Sequence, residues 1–142
     1  MDENEIKNVK LVEIKDTWMA RGVKIVDIND ECKSIKNIFD EGHEGVLVNE
    51  ISEFGDAEIV GWIAKEKFIE IFNKNQDCKA GDAMERNFEK ISPAATLLGA
   101  KLKLQKNNVS SLPITTIHGG HEIPLGYLCM KDIEEYIKKN KR

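Results

Sequence analysis

The chain has 142 residues, 41% hydrophobic and 32% charged, which suits one compact domain or two small halves that share a core. Its net charge is −4, with 21 Lys and Arg spread among 25 Asp and Glu, so the broad positive field that nucleic-acid backbones demand is missing. No run approaches the length of a membrane span, and the opening MDENEIKN is acidic where a secretory leader would be basic and then apolar, which predicts a cytoplasmic protein.

After an N-terminal segment (1–15), VKIVDI reads as a strand. Asn29 or Asp30 can cap the helix that follows, which carries Cys32, Ile35, Ile38 and Phe39 on one face and ends at Gly42. EGVLVN is a strand, ISEFGDAE a polar hairpin loop and EIVGWIA a strand, and a short helix then turns Phe68, Ile71 and Phe72 inward. NKNQDCKAGD is a linker by composition. Ser92 followed by Pro93 predicts a helix start, since the hydroxyl can accept an unpaired amide and proline tolerates the first helical position. AKLKLQK alternates like a strand, but its counterpart in the first half has helical spacing, and the helix is preferred. SSLPIT and PLGYLC are strands around the turn IHGGHE, and Ile133, Tyr136 and Ile137 form the buried stripe of a last helix. The tail KKNKR reads as a solvated helix end.

The two halves repeat. Gly61 recurs as Gly126, and at the same offset Trp62 recurs as Tyr127, Ile63 as Leu128, Phe68 as Ile133, Ile71 as Tyr136 and Phe72 as Ile137. Met19 and Met84 keep that offset, as do Val26 and Ile91. Two copies are too few for a solenoid, so a closed pair with pseudo-twofold symmetry is expected. The prediction is an α/β (α+β) fold of two tandem β-α-β-β-α motifs, at residues 16–74 and 83–142, joined by a linker at 75–82.

Strand, Gly, helix at the end of each motif, an x-Met segment before each first strand, and Leu112-Pro113-Ile114 in the second motif together resemble the cystathionine-β-synthase (CBS) domain pair over residues 9–139. The resemblance implies a regulatory module, in general a homodimer, that binds AMP, ADP, ATP, S-adenosylmethionine or a related adenosine compound in clefts between the motifs. It places the ribose-binding acid on Asp132 and a phosphate-facing position on Cys129. Adenine contacts fall on Leu128, Val109, Ser110 and the segment from Asp82 through Asn87 to Phe88. In the first motif the acid and hydroxyl positions hold Lys67 and Ala64.

The chemistry of those residue types fits. One carboxylate can accept both hydroxyls of a ribose at once, and helix-start amides near Met130 favour a phosphate. Lys131 and Lys67 are candidate phosphate contacts, with a solvated surface role as the plainer alternative. Cys129 is a weak partner where the family has Thr or Ser, which turns the expectation towards a nucleoside or thioether ligand, and Lys67 cannot accept a ribose at all. The plainer role for Asp132 is to cap the last helix.

Other signals are weaker. Cys32, Cys78 and Cys129 are odd in number and form no C-x-x-C pair, so they read as reduced thiols. His118, His121 and Glu122 could donate to a metal, but two imidazoles on a hairpin do not close a zinc sphere, and no metal is expected. Trp18 is open between the core and stacking on a purine, whereas Trp62 reads as core. No paired carboxylates, Ser-His-Asp order or phosphate loop is present, so an enzyme is not expected. Two functions are left: a sensor of an adenosine-type ligand acting on an effector protein, or a ligand-free scaffold that uses the same helices to dimerise or dock.

Overall fold

The structure, a computed structural model, describes residues 3–140; the last two residues of the KKNKR tail lie outside the described residues. In chain order come α1 (Glu3–Ile6), a 3-10 turn (Leu11–Ile14), α2 (Lys15–Arg21), β1 (Lys24–Asp27), α3 (Cys32–Asp40), β2 (Gly45–Ile51) and β3 (Ala57–Ala64). There follow α4 (Lys65–Lys74), α5 (Ala80–Ala83), α6 (Leu97–Asn107), β4 (Ser111–His118), β5 (His121–Cys129) and α7 (Met130–Lys139). This is the expected mixed α+β chain. It divides into two compact units: Val23–Phe88 is one, and the segment up to Gly22 joins the segment from Glu89 onward in the other.

In the Val23–Phe88 unit β1 runs parallel to β2, and β2 antiparallel to β3. Alternation along the strands gathers Val26, Val46, Val48 and Ile63 with Ile35 and Phe39 of α3 and Phe68 of α4. The Phe68 ring lies 4.8 Å from that of Phe39 and 5.3 Å from that of Phe72. Each side chain of this size contributes about 1.5–3 kcal/mol on full burial. The N-cap of α3 is Glu31, not Asn29 or Asp30. Those two are engaged in the preceding turn, where the Asp30 carboxylate accepts the Asp27 amide and the Asp27 carboxylate accepts the Asn29 amide, both at 2.9 Å. Gly42, at φ 107°, follows the end of α3 in a conformation that favours glycine.

The reading of all three cysteines as reduced thiols is overturned, because Cys32 and Cys78 form a disulfide with their Cα atoms 5.5 Å apart. Backbone pairing brings them together: the Cys32 amide donates to the Cys78 carbonyl at 2.9 Å, and Glu31 and Lys79 form an antiparallel bridge. The polar stretch 75–82 therefore contains two buried positions, Cys78 and Ala80.

In the other unit β4 and β5 form a hairpin whose turn residues Gly119 and Gly120 have φ of 59° and 79°, the two positive angles that a type I′ turn needs. The counterpart of β1 has shrunk to one parallel bridge between Ile91 and Ile114. Pro113 accounts for that: its carbonyl accepts the Ile91 amide at 2.9 Å, but it has no N–H with which to continue the ladder. AKLKLQK is helical, as the repeat predicts, and Leu97, Ala100 and Leu104 of α6 are buried. Trp18 belongs to this core, with its indole N–H donating to the Leu11 carbonyl at 3.0 Å.

Ser92-Pro93 does not start a helix. Residues 93–97 pair with 9–12, through Leu11 to Ala95 (2.9 Å), Val12 to Pro93 (3.1 Å) and Leu97 to Val9 (2.7 Å). In that segment the Ala95 amide donates to the Ser92 carbonyl at 3.0 Å in a turn, and the bonds to 9–12 hold it out of the helix, so α6 begins only at Leu97, capped by Thr96, whose hydroxyl accepts the Gly99 amide at 3.0 Å.

Candidate functional site

The repeated glycine marks a close approach in each unit. A Cβ on Gly126 would stand 2.8 Å from the Trp18 carbonyl oxygen, and one on Gly61 would overlap the Met84 side chain. Trp18, not Met19, thus covers the second strand, and Met19 is 47% exposed. Crossing so near to β5, α2 delivers its last residue, Arg21, to the start of α7. Gly22, at φ 69°, then turns the chain away.

There β5 ends in Cys129, the N-cap of α7, and Asp132 is the third helical residue. The Asp132 carboxylate accepts the Cys129 amide at 2.8 Å, the return half of a capping box. Both of its oxygens also face Arg21, with Nη1 to Oδ1 at 3.2 Å and Nη2 to Oδ2 at 2.8 Å. Nη2 donates as well to the Tyr127 carbonyl, and the guanidinium lies over the Tyr127 ring, 4.3 Å from its centroid. The side chains are 20% and 3% exposed. Burial alone would lower the pKa of Arg21, but its hydrogen bond to Asp132 and the charges around it outweigh that and raise it, so it stays a cation.

Leu128, Cys129 and Asp132 meet at this junction, where all three are buried. Val109 and Ser110 lie nearby on the turn from α6 to β4, and the Ser110 carbonyl accepts the Met130 amide at 2.8 Å. These two line an open groove of about 370 Å³ with Leu104, Gln105, Asn108 and Met130. Asp132 borders a different cavity, of about 240 Å³, shared with Glu13, Asp16, Thr17, Glu135, Tyr136 and others. Lys131 is exposed on the first turn of α7.

Asp82, Asn87, Phe88 and Lys67 belong to the Val23–Phe88 unit. There the Asp82 carboxylate accepts the Lys79 amide at 3.0 Å and caps α5. Asn87 is exposed and Phe88 half-buried, and Lys67 is exposed on α4, whose N-cap, Ala64, has no polar side chain. At the third helical position, where the second motif has Asp132, the first thus holds Lys67, and the carboxylate of its first turn is on Glu66.

Arg21 was absent from the residues expected at the site. It reaches Asp132 across 111 residues of sequence, and the local signal was only an arginine beside a glycine at the end of a helical segment.

Residues 80–139 match the CBS domain family. A search of curated proteins finds no match. Among solved structures, a putative signal-transduction protein with CBS domains from Burkholderia ambifaria is 17% identical, with 93% of each chain covered and a TM-score of 0.69. An uncharacterized conserved protein from Pyrococcus horikoshii is 18% identical with a TM-score of 0.70; 94% of this chain and 55% of that one are covered, so this chain spans about half its length. The CBS domain pair of protein MJ0100, in complex with 5′-methylthioadenosine and S-adenosyl-L-methionine, is 17% identical with a TM-score of 0.65, covering 84% of this chain and 90% of that one.

Proposed function

Since this chain folds as a CBS domain pair and carries a CBS domain at residues 80–139, we propose that it is a non-catalytic regulatory module that binds an adenosine-containing ligand through Asp132. The observation that carries this reading is the Asp132 carboxylate itself, held at the N-terminus of a ten-residue helix and oriented by the Cys129 amide. A ribose presents two adjacent hydroxyl donors, and a fixed carboxylate can accept both. Val109 and Ser110 line a groove separate from the cavity at Asp132 and Leu128 is fully buried, so these three would border the base only of a ligand that spans from that cavity to the groove. The adenosyl compounds bound by the MJ0100 pair support the same ligand class.

In that role the chain acts as a homodimer and passes its state to an effector protein. The ligand can bias the arrangement only through its different affinity for the alternatives.

A second reading, a scaffold that binds no ligand, is favoured by one observation: Arg21 already holds both oxygens of Asp132. Titration calorimetry with AMP, ATP, S-adenosylmethionine and methylthioadenosine separates the two. Saturable binding that disappears in Asp132→Asn is expected for the sensor. Silence from all four compounds sinks it and leaves the scaffold.

A further inference from the structure

Resting on the adenosine reading, we infer that Arg21 makes the site selective for a ligand that carries phosphate, an adenosine phosphate over the bare nucleoside or a sulfonium compound. A ribose can take the Asp132 oxygens only by displacing the guanidinium that holds them at 2.8 and 3.2 Å. Two neutral hydroxyls would then replace a cation.

The displaced charge is the deciding matter. The Arg21 side chain is 20% exposed, and without Asp132 it keeps the Tyr127 carbonyl and the face of the Tyr127 ring, neither of them an anion. A largely buried cation stripped of its anion opposes binding strongly. A ligand therefore binds well only if it brings an anion that pairs with Arg21 again.

Phosphate fits that need better than a carboxylate or a neutral group. It offers three acceptor oxygens, and a guanidinium can grip two of them at once through its planar fork. A donor is already waiting: Arg21 Nε is buried and has no hydrogen-bond partner among the described residues. Such a polar atom is costly to leave unsatisfied, and an incoming oxygen on the Nε edge would satisfy it. The N-terminus of α7 favours the same negative charge. S-adenosylmethionine would set its sulfonium, a second cation, beside the displaced one, with its carboxylate three carbons further out and next to an ammonium.

Calorimetry on the wild-type protein with AMP, adenosine and S-adenosylmethionine tests this directly. AMP is expected to bind at least about tenfold more tightly than adenosine, a preference that narrows as salt is raised. In Arg21→Gln the gap should close to within about threefold, and adenosine should bind more tightly than it does to wild type, because its intramolecular competitor is gone. Arg21→Lys, which keeps the charge without the fork, should fall between the two. Equal affinity of the wild type for AMP and adenosine, a comparison that needs no variant to fold, overturns the inference while leaving the adenosine reading intact. So does a preference for AMP that survives undiminished in a folded Arg21→Gln. If none of the three compounds binds to the wild type, the reading and the inference both fall.

Discussion

Arg21 and Asp132 stand 111 residues apart in sequence and meet at 2.8 Å, tying the end of α2 to the first turn of α7. In one contact this pair combines a helix cap, an ion pair and the site's proposed ligand acceptor. Removing the anion strands the cation, whereas removing both ends leaves no buried charge unpaired.

Asp132→Asn should therefore cost about 3 kcal/mol, near the lower end for a broken buried pair because Arg21 is not fully enclosed. Adding Arg21→Met should recover more than half of that. Urea denaturation of the two single variants and the double variant reads the coupling, and a double variant no more stable than Asp132→Asn would show the two residues to be independent. The pKa of Arg21 is raised, so its share of stability is complete below its unfolded value and is lost only as pH rises through the still higher folded one. The wild-type advantage should accordingly hold level from about pH 7 to about pH 10.

The two repeated glycines should both respond strongly to alanine. At Gly126 the new Cβ meets the backbone carbonyl of Trp18 at 2.8 Å, which can move only if α2 moves. At Gly61 it meets the Met84 side chain, whose sulfur can swing aside but whose Cβ, at 2.8 Å, is fixed to the backbone. Gly126→Ala and Gly61→Ala are each predicted to destabilise by about 2–3 kcal/mol. Thermal unfolding of the two variants checks this, and a Gly126→Ala protein as stable as the wild type would remove the close approach of α2 as the reason for that glycine.

How much of this was legible in the sequence depended on whether the cause was local. Gly119-Gly120 announced a hairpin because a two-residue turn needs positive φ at both positions, and α6 was recovered from an alternating stretch because its counterpart, α3, has unmistakable helical spacing. The repeated glycine was visible as a motif, but its reason was not, since Trp18 and Met84 reach the two glycines from outside the motif. Asp132 was singled out from the family pattern, whereas its partner was missed, because no periodicity relates a helix end to a residue 111 positions away. Cys32 and Cys78 failed for the same reason, joined across a separation of 46 residues by strand-like pairing that leaves no mark in composition.

That disulfide closes a loop of 46 residues, and by chain entropy its reduction should remove about 2–4 kcal/mol, chiefly by freeing the unfolded chain. The urea midpoint of the wild type should fall on adding a thiol reductant, and that of Cys32→Ser with Cys78→Ser should not respond. Loss of two protons' mass relative to the fully reduced chain, read by intact mass spectrometry, reports the bond directly. An unreduced wild type that carries three alkylatable thiols after unfolding would remove the disulfide from this account.

The start of α6 supplies a sharper comparison, because two residues compete for the role of cap. Thr96 accepts the Gly99 amide at 3.0 Å, whereas Ser92 accepts the Ala94 amide at 3.1 Å in a turn that precedes the helix. Thr96→Ala should cost about 1 kcal/mol, with Thr96→Ser keeping most of it. Ser92→Ala should cost less than half as much, because no helix amide depends on it. Gly99 adds a check on mechanism. Alanine there should gain from helix propensity, about 0.8–1 kcal/mol in an open helix, yet its Cβ would stand 3.2 Å from the Thr96 hydroxyl and crowd the cap. Gly99→Ala should therefore stabilise the Thr96→Ala background more than the wild type. Equal gains in the two backgrounds would mean that the hydroxyl and the glycine do not act on each other, and the assignment of Thr96 as the cap would fail with them.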